Sequence, residues 1–129
     1  MTSYYMFRCS NTTFDECLTK MLFGQSEKMI GFVRNVSPGD ILFLHNTTTS
    51  EIHGPFVAEA RGSLNIDETA WGGNFPSQVK VKSTSSVNKV SVRDANSAGL
   101  HFTFMNKFFD FKLSPIAGST LVKLLSVSF

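Results

Sequence analysis

The sequence predicts an α+β domain: a curved antiparallel sheet or partly open β-barrel flanked by short helices. Three observations carry this. Short aromatic and β-branched runs recur between turn residues along the chain. A few segments show helical spacing with start and stop signals, yet they do not alternate with the strands as βαβ units would. The composition is globular, 42% hydrophobic and only 17% charged, so disorder is excluded. Its 129 residues make one domain, read over 1–129, long enough to bury a single core. The chain stops just after a helix, as a whole small protein or an excised domain would.

The elements follow in order. Tyr4-Tyr5-Met6-Phe7 is an aromatic run and reads as a first strand. Thr12 or Thr13 caps a helix, with Glu16 at capping-box spacing from Thr13. Phe14, Cys17, Leu18, Met21 and Leu22 recur at helical spacing, and Gly24 is expected to close that helix. Met29, Ile30 and Val33 suggest a second short helix. Pro38-Gly39-Asp40 is a turn leading into Ile41-Leu42-Phe43-Leu44, an unbroken apolar run suited to a central strand. Ile52 to Ala60 returns antiparallel to it, with a bulge or bend at Gly54-Pro55. Residues 62–74 form a long loop with a helical turn at Asp67-Glu68-Thr69, and that loop carries the only tryptophan, Trp71. Val79 and Val81 then face one way, Lys80 and Lys82 the other. Val90 and Val92 continue as an edge strand, and Phe108 to Leu113 reads as another strand. Ser114-Pro115 starts a last helix whose apolar face is Leu121, Val122, Leu124 and Leu125.

Composition narrows the function classes. No apolar run reaches the ~18–20 residues of a membrane span, and no basic-then-apolar leader is present. Cys9 and Cys17 are too few for a disulfide framework, which points to reduced thiols in the cytosol or nucleus. Two Cys and three scattered His do not supply a metal set. Through Glu68 there are five bases against eight acids, net −3; beyond it, seven against two, net +5. One region is thus expected to be electropositive, as an acidic partner or phosphate backbone requires. A solvated face explains the same asymmetry equally well.

Catalytic motifs are missing: there is no nucleophile elbow and no Walker-type loop. The acidic pairs Asp15-Glu16 and Asp67-Glu68 suit helix starts better than acid–base catalysis. His45, His53 and His101 stand apart from any ligand spacing, and Cys9 beside Arg8 has no local histidine to activate it. RNP motifs, GXXG loops and zinc-finger spacings are absent too. What the sequence does bring together is Trp71 in a glycine-rich loop, Phe75 close behind it, and Lys80 and Lys82 on the next strand. An aromatic wall beside basic residues suits a flipped-out base and its phosphates; equally, Trp71 could plug the barrel end.

Leu22-Phe23-Gly24, Phe43-Leu44-His45-Asn46, Leu64-Asn65-Ile66-Asp67 through Ala70-Trp71, and Phe75-Pro76-Ser77-Gln78-Val79 resemble the landmarks of the DCD (development and cell death) domain. His45 stands where that family has Tyr, and Ser77 where it has Ala. The DCD domain is similar to the wider PUA-like group, which includes EVE and YTH domains. Met6-Phe7-Arg8-Cys9-Ser10 and Trp71-Gly72-Gly73-Asn74-Phe75-Pro76 resemble the corresponding YTH segments. The resemblance implies a non-catalytic module that reads a flipped-out, methylated base on DNA or RNA. It implies a base pocket of Cys9, Ser10, Asn11, Asn46 and Trp71, with Phe23, Phe75 or a tyrosine replacing further tryptophans. Lys80, Lys82, Lys89 and Arg93 are the expected phosphate contacts. No cofactor, metal or membrane is expected. The specificity module of a modification-dependent restriction system is one parent such a domain could have. The alternative is a protein-interaction module in stress or cell-death signalling. A third reading is an accessory factor to an RNA-modifying enzyme.

Overall fold

The structure, a computed structural model, describes residues 2–99 and 111–126. Its strands are β1 (Tyr4–Cys9), β2 (Leu22–Gln25), β3 (Ile41–Asn46), β4 (Glu51–Ala58), β5 (Ser63–Leu64), β6 (Ser77–Ser91) and β7 (Lys112–Leu113). The helices are α1 (Asn11–Lys20), α2 (Ile30–Val33), α3 (Val92–Ser97) and α4 (Pro115–Ser126), with 3₁₀ turns at Glu27–Met29 and Ala70–Gly73. One sheet runs β2-β6-β4-β3-β1-β7, and β5 pairs with β6. The α+β expectation holds, with one change. The sheet is not wholly antiparallel, because β1 and β3 run parallel, Tyr4 beside Ile41 through Cys9 beside Asn46. The segment from α1 to α2 is the crossover a parallel pair needs.

The sheet curls until β2 at one end approaches β1, but it does not close. At the seam Gln25 Nε2 on β2 donates to the Arg8 carbonyl on β1 at 3.4 Å. Register shifts between Leu42 and Leu44 and between Gly54 and Phe56 bend β3, β4 and β6, as the Gly54-Pro55 pair foretold.

Strand alternation feeds two cores. Tyr5, Phe7, Leu42, Leu44, Phe56, Val79 and Val81 fill the concave side. Met6, Phe43, Ile52 and Val90 face the other way, where Leu121 and Leu125 of α4 cover them. That is why Ile41–Leu44 reads as an unbroken apolar run: both faces of β3 are covered. Ser114 Oγ accepts the Ala117 N–H at 3.1 Å, capping α4 as its sequence indicates.

Several boundaries differ from the sequence reading. Ser10 rather than a threonine precedes α1, and its backbone N–H donates to Thr13 Oγ1 at 3.1 Å. Met21, in the left-handed region at φ 50, ends that helix, so Gly24 belongs to β2. The loop's helical turn falls at Ala70–Gly73, not at Asp67–Thr69. β6 is one 15-residue strand packed between β4 and β2, and Val92 opens α3 instead of extending an edge. Residues 108–110 of the predicted strand lie outside the described residues; Lys112–Leu113 is β7.

Candidate functional site

At the seam between β1 and β2 lies an open cavity of about 280 Å³, near the lower end of small-ligand pockets. β1 supplies Arg8 and Cys9, and α1 supplies Thr13 and Cys17. Gly24 and Gln25 come from β2, while Trp71 and Phe75 come from the long loop. Ser10, Ser26 and Thr47 complete its rim. Among the described residues that line it, Arg8 is the one with a charged side chain.

The loop landmarks are a scaffold for Trp71. Buried Gln78 holds the loop three times over: Nε2 donates to the Asp67 carbonyl (3.1 Å) and the Phe75 carbonyl (3.3 Å), and Oε1 accepts the Asp67 N–H (2.8 Å). Asp67 Oδ1 accepts from both the N–H and the hydroxyl of Thr69, shaping the turn into Ala70–Gly73. Asp67 Oδ2 also takes Lys20 Nζ at 2.6 Å, tying the loop to the end of α1. The Lys20 and Thr69 contacts hold the Asp67 carboxyl well below the usual carboxylate range. Trp71 then sits at φ 50, ψ 35, a left-handed conformation costly for an aromatic residue. Two bonds to α1 keep it there. Its backbone N–H donates to Glu16 Oε2 at 2.6 Å, and its indole Nε1 donates to the Thr13 carbonyl at 3.2 Å. Phase along α1 puts Thr13, Glu16 and Cys17 on the side facing Trp71. Glu16 is therefore not a capping-box partner but the anchor of the tryptophan. A Cβ on Gly24 would stand 2.5 Å from the indole and 2.8 Å from the Phe75 carbonyl, so β2 needs glycine where the ring lies across it. Phe75, also at positive φ, meets the indole edge-on at 6.1 Å and stays 39% exposed.

Of the expected base-pocket residues, Cys9, Ser10, Trp71 and Phe75 meet at this cavity. Phe23 does not. It is fully buried among Phe7 (5.7 Å) and Phe56 (5.0 Å), in the concave core. Asn46 is buried and occupied: Nδ2 donates to Asn11 Oδ1 at 3.0 Å, and Oδ1 accepts the N–H groups of Thr48 and Thr49. Asn11 thus serves the same turn, beside the cavity rather than within its lining. The expected phosphate contacts are dispersed. Lys80 Nζ donates to the Lys20 carbonyl at 2.6 Å, in a second recess with Asp67. Lys82 is exposed farther along β6, Lys89 pairs with Glu51 at 3.1 Å, and Arg93 lies on α3. The sequence reading passed over Arg8, Thr13, Cys17 and Gln25 as lining residues. The meeting of β1 with β2 joins strands that share no register, so local sequence carries no signal of it.

His45 lies buried on β3 beside Arg8. Desolvation, then the nearby Arg8 charge, push its pKa down to about 4. Among the described residues no three His, Cys, Asp or Glu side chains stand together as a metal set. No described helix is long and apolar enough to cross a membrane.

The open, curved sheet flanked by short helices is a PUA-like architecture, similar in fold to YTH domains. The YTH domain of Toxoplasma CPSF4 in complex with a 7-mer m6A-modified RNA superposes with a TM-score of 0.73, covering 100% of this chain and 93% of that one at 12% identity. The YTH domain of Zygosaccharomyces rouxii MRB1, in complex with N6-methyladenosine RNA, gives 0.72 over 99% and 89% at 10% identity. Protein Atu2648 from Agrobacterium tumefaciens gives 0.64 over 98% and 97% at 11% identity. The sequence places the chain more narrowly: residues 3–125 match the development and cell death domain, and the chain belongs to that family. It is 42% identical to the B2 protein of Daucus carota over 84 residues, 60% of this chain and 41% of that protein. It is 40% identical to the DCD domain-containing protein NRP-A of Glycine max over 84 residues, 60% of this chain and 23% of that protein. The chain therefore spans less than half the length of these curated relatives.

Proposed function

We propose that this domain is a non-catalytic reader that takes a flipped-out, methylated nucleobase into the cavity between β1, β2, α1 and the Trp71 loop. One observation carries the reading: two aromatic side chains, both at positive φ and one pinned to α1, wall an open cavity. That cavity sits on the fold of proteins whose structures hold m6A RNA. In this reading the base stacks on Trp71 with its edge toward Phe75, and Ser10 and Gln25 offer polar groups to the base rim. A methyl adds only about 1 kcal/mol of burial, so discrimination comes from fit to the aromatic walls. Arg8 at the cavity receives the flanking phosphate. Lys82, Lys89 and Arg93 then contact the polymer farther out, and Lys80 serves the loop.

The test is fluorescence anisotropy with matched RNA and DNA oligonucleotides, with and without N6-methyladenine or 5-methylcytosine. We expect a preference for one methylated oligonucleotide. Phe75→Ala and Trp71→Ala should weaken it roughly 10- to 100-fold, the usual worth of a stacked base. Phe75→Ala removes a half-exposed ring, so it reads the site without disturbing the core. A preference for methylated DNA would favour a specificity module of the modification-dependent restriction kind. No binding at low salt would overturn the reader and leave the protein-interaction role, with exposed Leu64, Ile66 and Phe75 as its surface.

A further inference from the structure

The cavity wall holds chemistry that base recognition does not use. Cys9, at the end of β1, and Cys17, in the second turn of α1, are both buried, both free, and both line the cavity. Both lie in one buried cluster, and Cys17 is the group that acts most strongly on the Cys9 thiol. These are the only cysteines in the chain, and they meet beside its only tryptophan. We propose that Cys9 and Cys17 are a thiol pair that closes reversibly to a disulfide, and that closure reshapes the cavity around Trp71.

The chemistry balances with a glutathione disulfide as oxidant. One thiolate attacks it, forming a mixed disulfide and releasing one glutathione thiolate. The second protein thiol, losing its proton, attacks the mixed disulfide and releases the other glutathione. Two electrons pass from the protein pair to the glutathione disulfide, and two glutathione thiols leave. The neighbouring Cys17 thiol and then burial push the Cys9 thiol above its ordinary range. The open mouth of the cavity admits the oxidant.

Closure must move something, because an S–S bond (~2.05 Å) is far shorter than any contact between two free thiols. Cys9 is fixed: its carbonyl accepts both the N–H (2.8 Å) and the hydroxyl (3.1 Å) of Thr47. The mobile partner is therefore α1. Both anchors of Trp71, the Thr13 carbonyl and the Glu16 carboxylate, lie within one turn of Cys17. Drawing α1 toward β1 displaces them together. The ligand consequence rests on the base-reader reading; the disulfide and the movement of Trp71 do not.

The experiment equilibrates the full chain in glutathione buffers of rising oxidised fraction and traps free thiols with a maleimide. Intact mass and tryptophan fluorescence are then read on the same samples. The expected result is loss of two hydrogens with both cysteines protected, reversal by dithiothreitol, and a Trp71 fluorescence change that follows the disulfide. Cys17→Ser should show neither. Separate glutathione adducts on the two cysteines would overturn the proposal, and so would a disulfide that leaves the fluorescence unchanged. These two readouts need no variant, so a poorly folded Cys17→Ser does not blunt them. Anisotropy with the preferred methylated oligonucleotide should weaken roughly tenfold on oxidation, a usual size for coupling between sites. Failure of the reduced chain to bind any oligonucleotide would sink the reader, while mass and fluorescence would still decide the thiol pair.

Discussion

At the scale of single residues, the family landmarks turn out to be packing instructions for one tryptophan. Gly24 is the clearest. Its spacing after an apolar helical run reads as a helix stop, because a glycine after such a run usually is one. Its actual task is to leave room for the indole, a contact 47 positions away in sequence that no local pattern reveals. Gly24→Ala should therefore destabilise the domain by roughly 1–3 kcal/mol, the cost of overpacking. It should also shift Trp71 emission in the folded state, both readable in one urea titration followed by tryptophan fluorescence. Unaltered emission would mean that the ring does not lie across β2. Phe23 was misread in the opposite sense. An aromatic residue next to Gly24 looks available for a cage, yet strand alternation turns it into the concave core against Phe7 and Phe56. Phe23→Ala should cost about 3–5 kcal/mol, as buried Phe truncations do.

At the scale of elements, α1 is less a structural filler than the jig that positions the site. Its amphipathic spacing was legible, as were the two valines of β6 that face the core. What was not legible was the use of its polar residues. Glu16 falls at capping-box spacing from Thr13, but the box is already served by Ser10 and Thr13, which frees the carboxylate for Trp71. The basic stripe was misplaced for a related reason. Alternation correctly turned Lys80 and Lys82 away from the core, but it cannot tell which loop lies over that face. Lys80 lands on the end of α1. Glu16→Ala removes the acceptor of a left-handed N–H, and an unpaired backbone donor costs about 1–3 kcal/mol. The expected outcome is faster amide exchange at Trp71 and its neighbours with α4 unchanged. Uniform acceleration across the chain would show instead that Glu16 supports the whole fold.

At the scale of the molecule, two cores lie on opposite faces of one sheet: one includes Trp71, Cys9 and Cys17 of the site, and the other, under α4, stands apart from it. The unbroken apolar run of β3 hinted at both faces being covered, but the α4 face and the seam emerge only once the sheet is assembled. Leu121→Ala on α4 should cost about 2–5 kcal/mol in urea titrations. It should leave ligand affinity unchanged wherever the variant is folded, since Leu121 packs on the face away from the cavity. The buried histidine adds a pH dependence with a definite sign. His45 titrates near 6.5 when unfolded and about 4 when folded, so between those values the unfolded chain binds the extra proton. Stability from this residue is complete above pH 6.5 and falls as the pH drops toward 4, by up to about 3 kcal/mol. His53 is lowered too, chiefly by desolvation, and adds to the same limb. Asp67 is depressed below its ordinary 3.8, so its stabilisation is present above that value and lost only in stronger acid. Urea midpoints between pH 7 and pH 4 should thus decline in the wild-type chain and decline less in His45→Gln. Parallel slopes in the two proteins would show that His45 is not the buried neutral group that carries the effect.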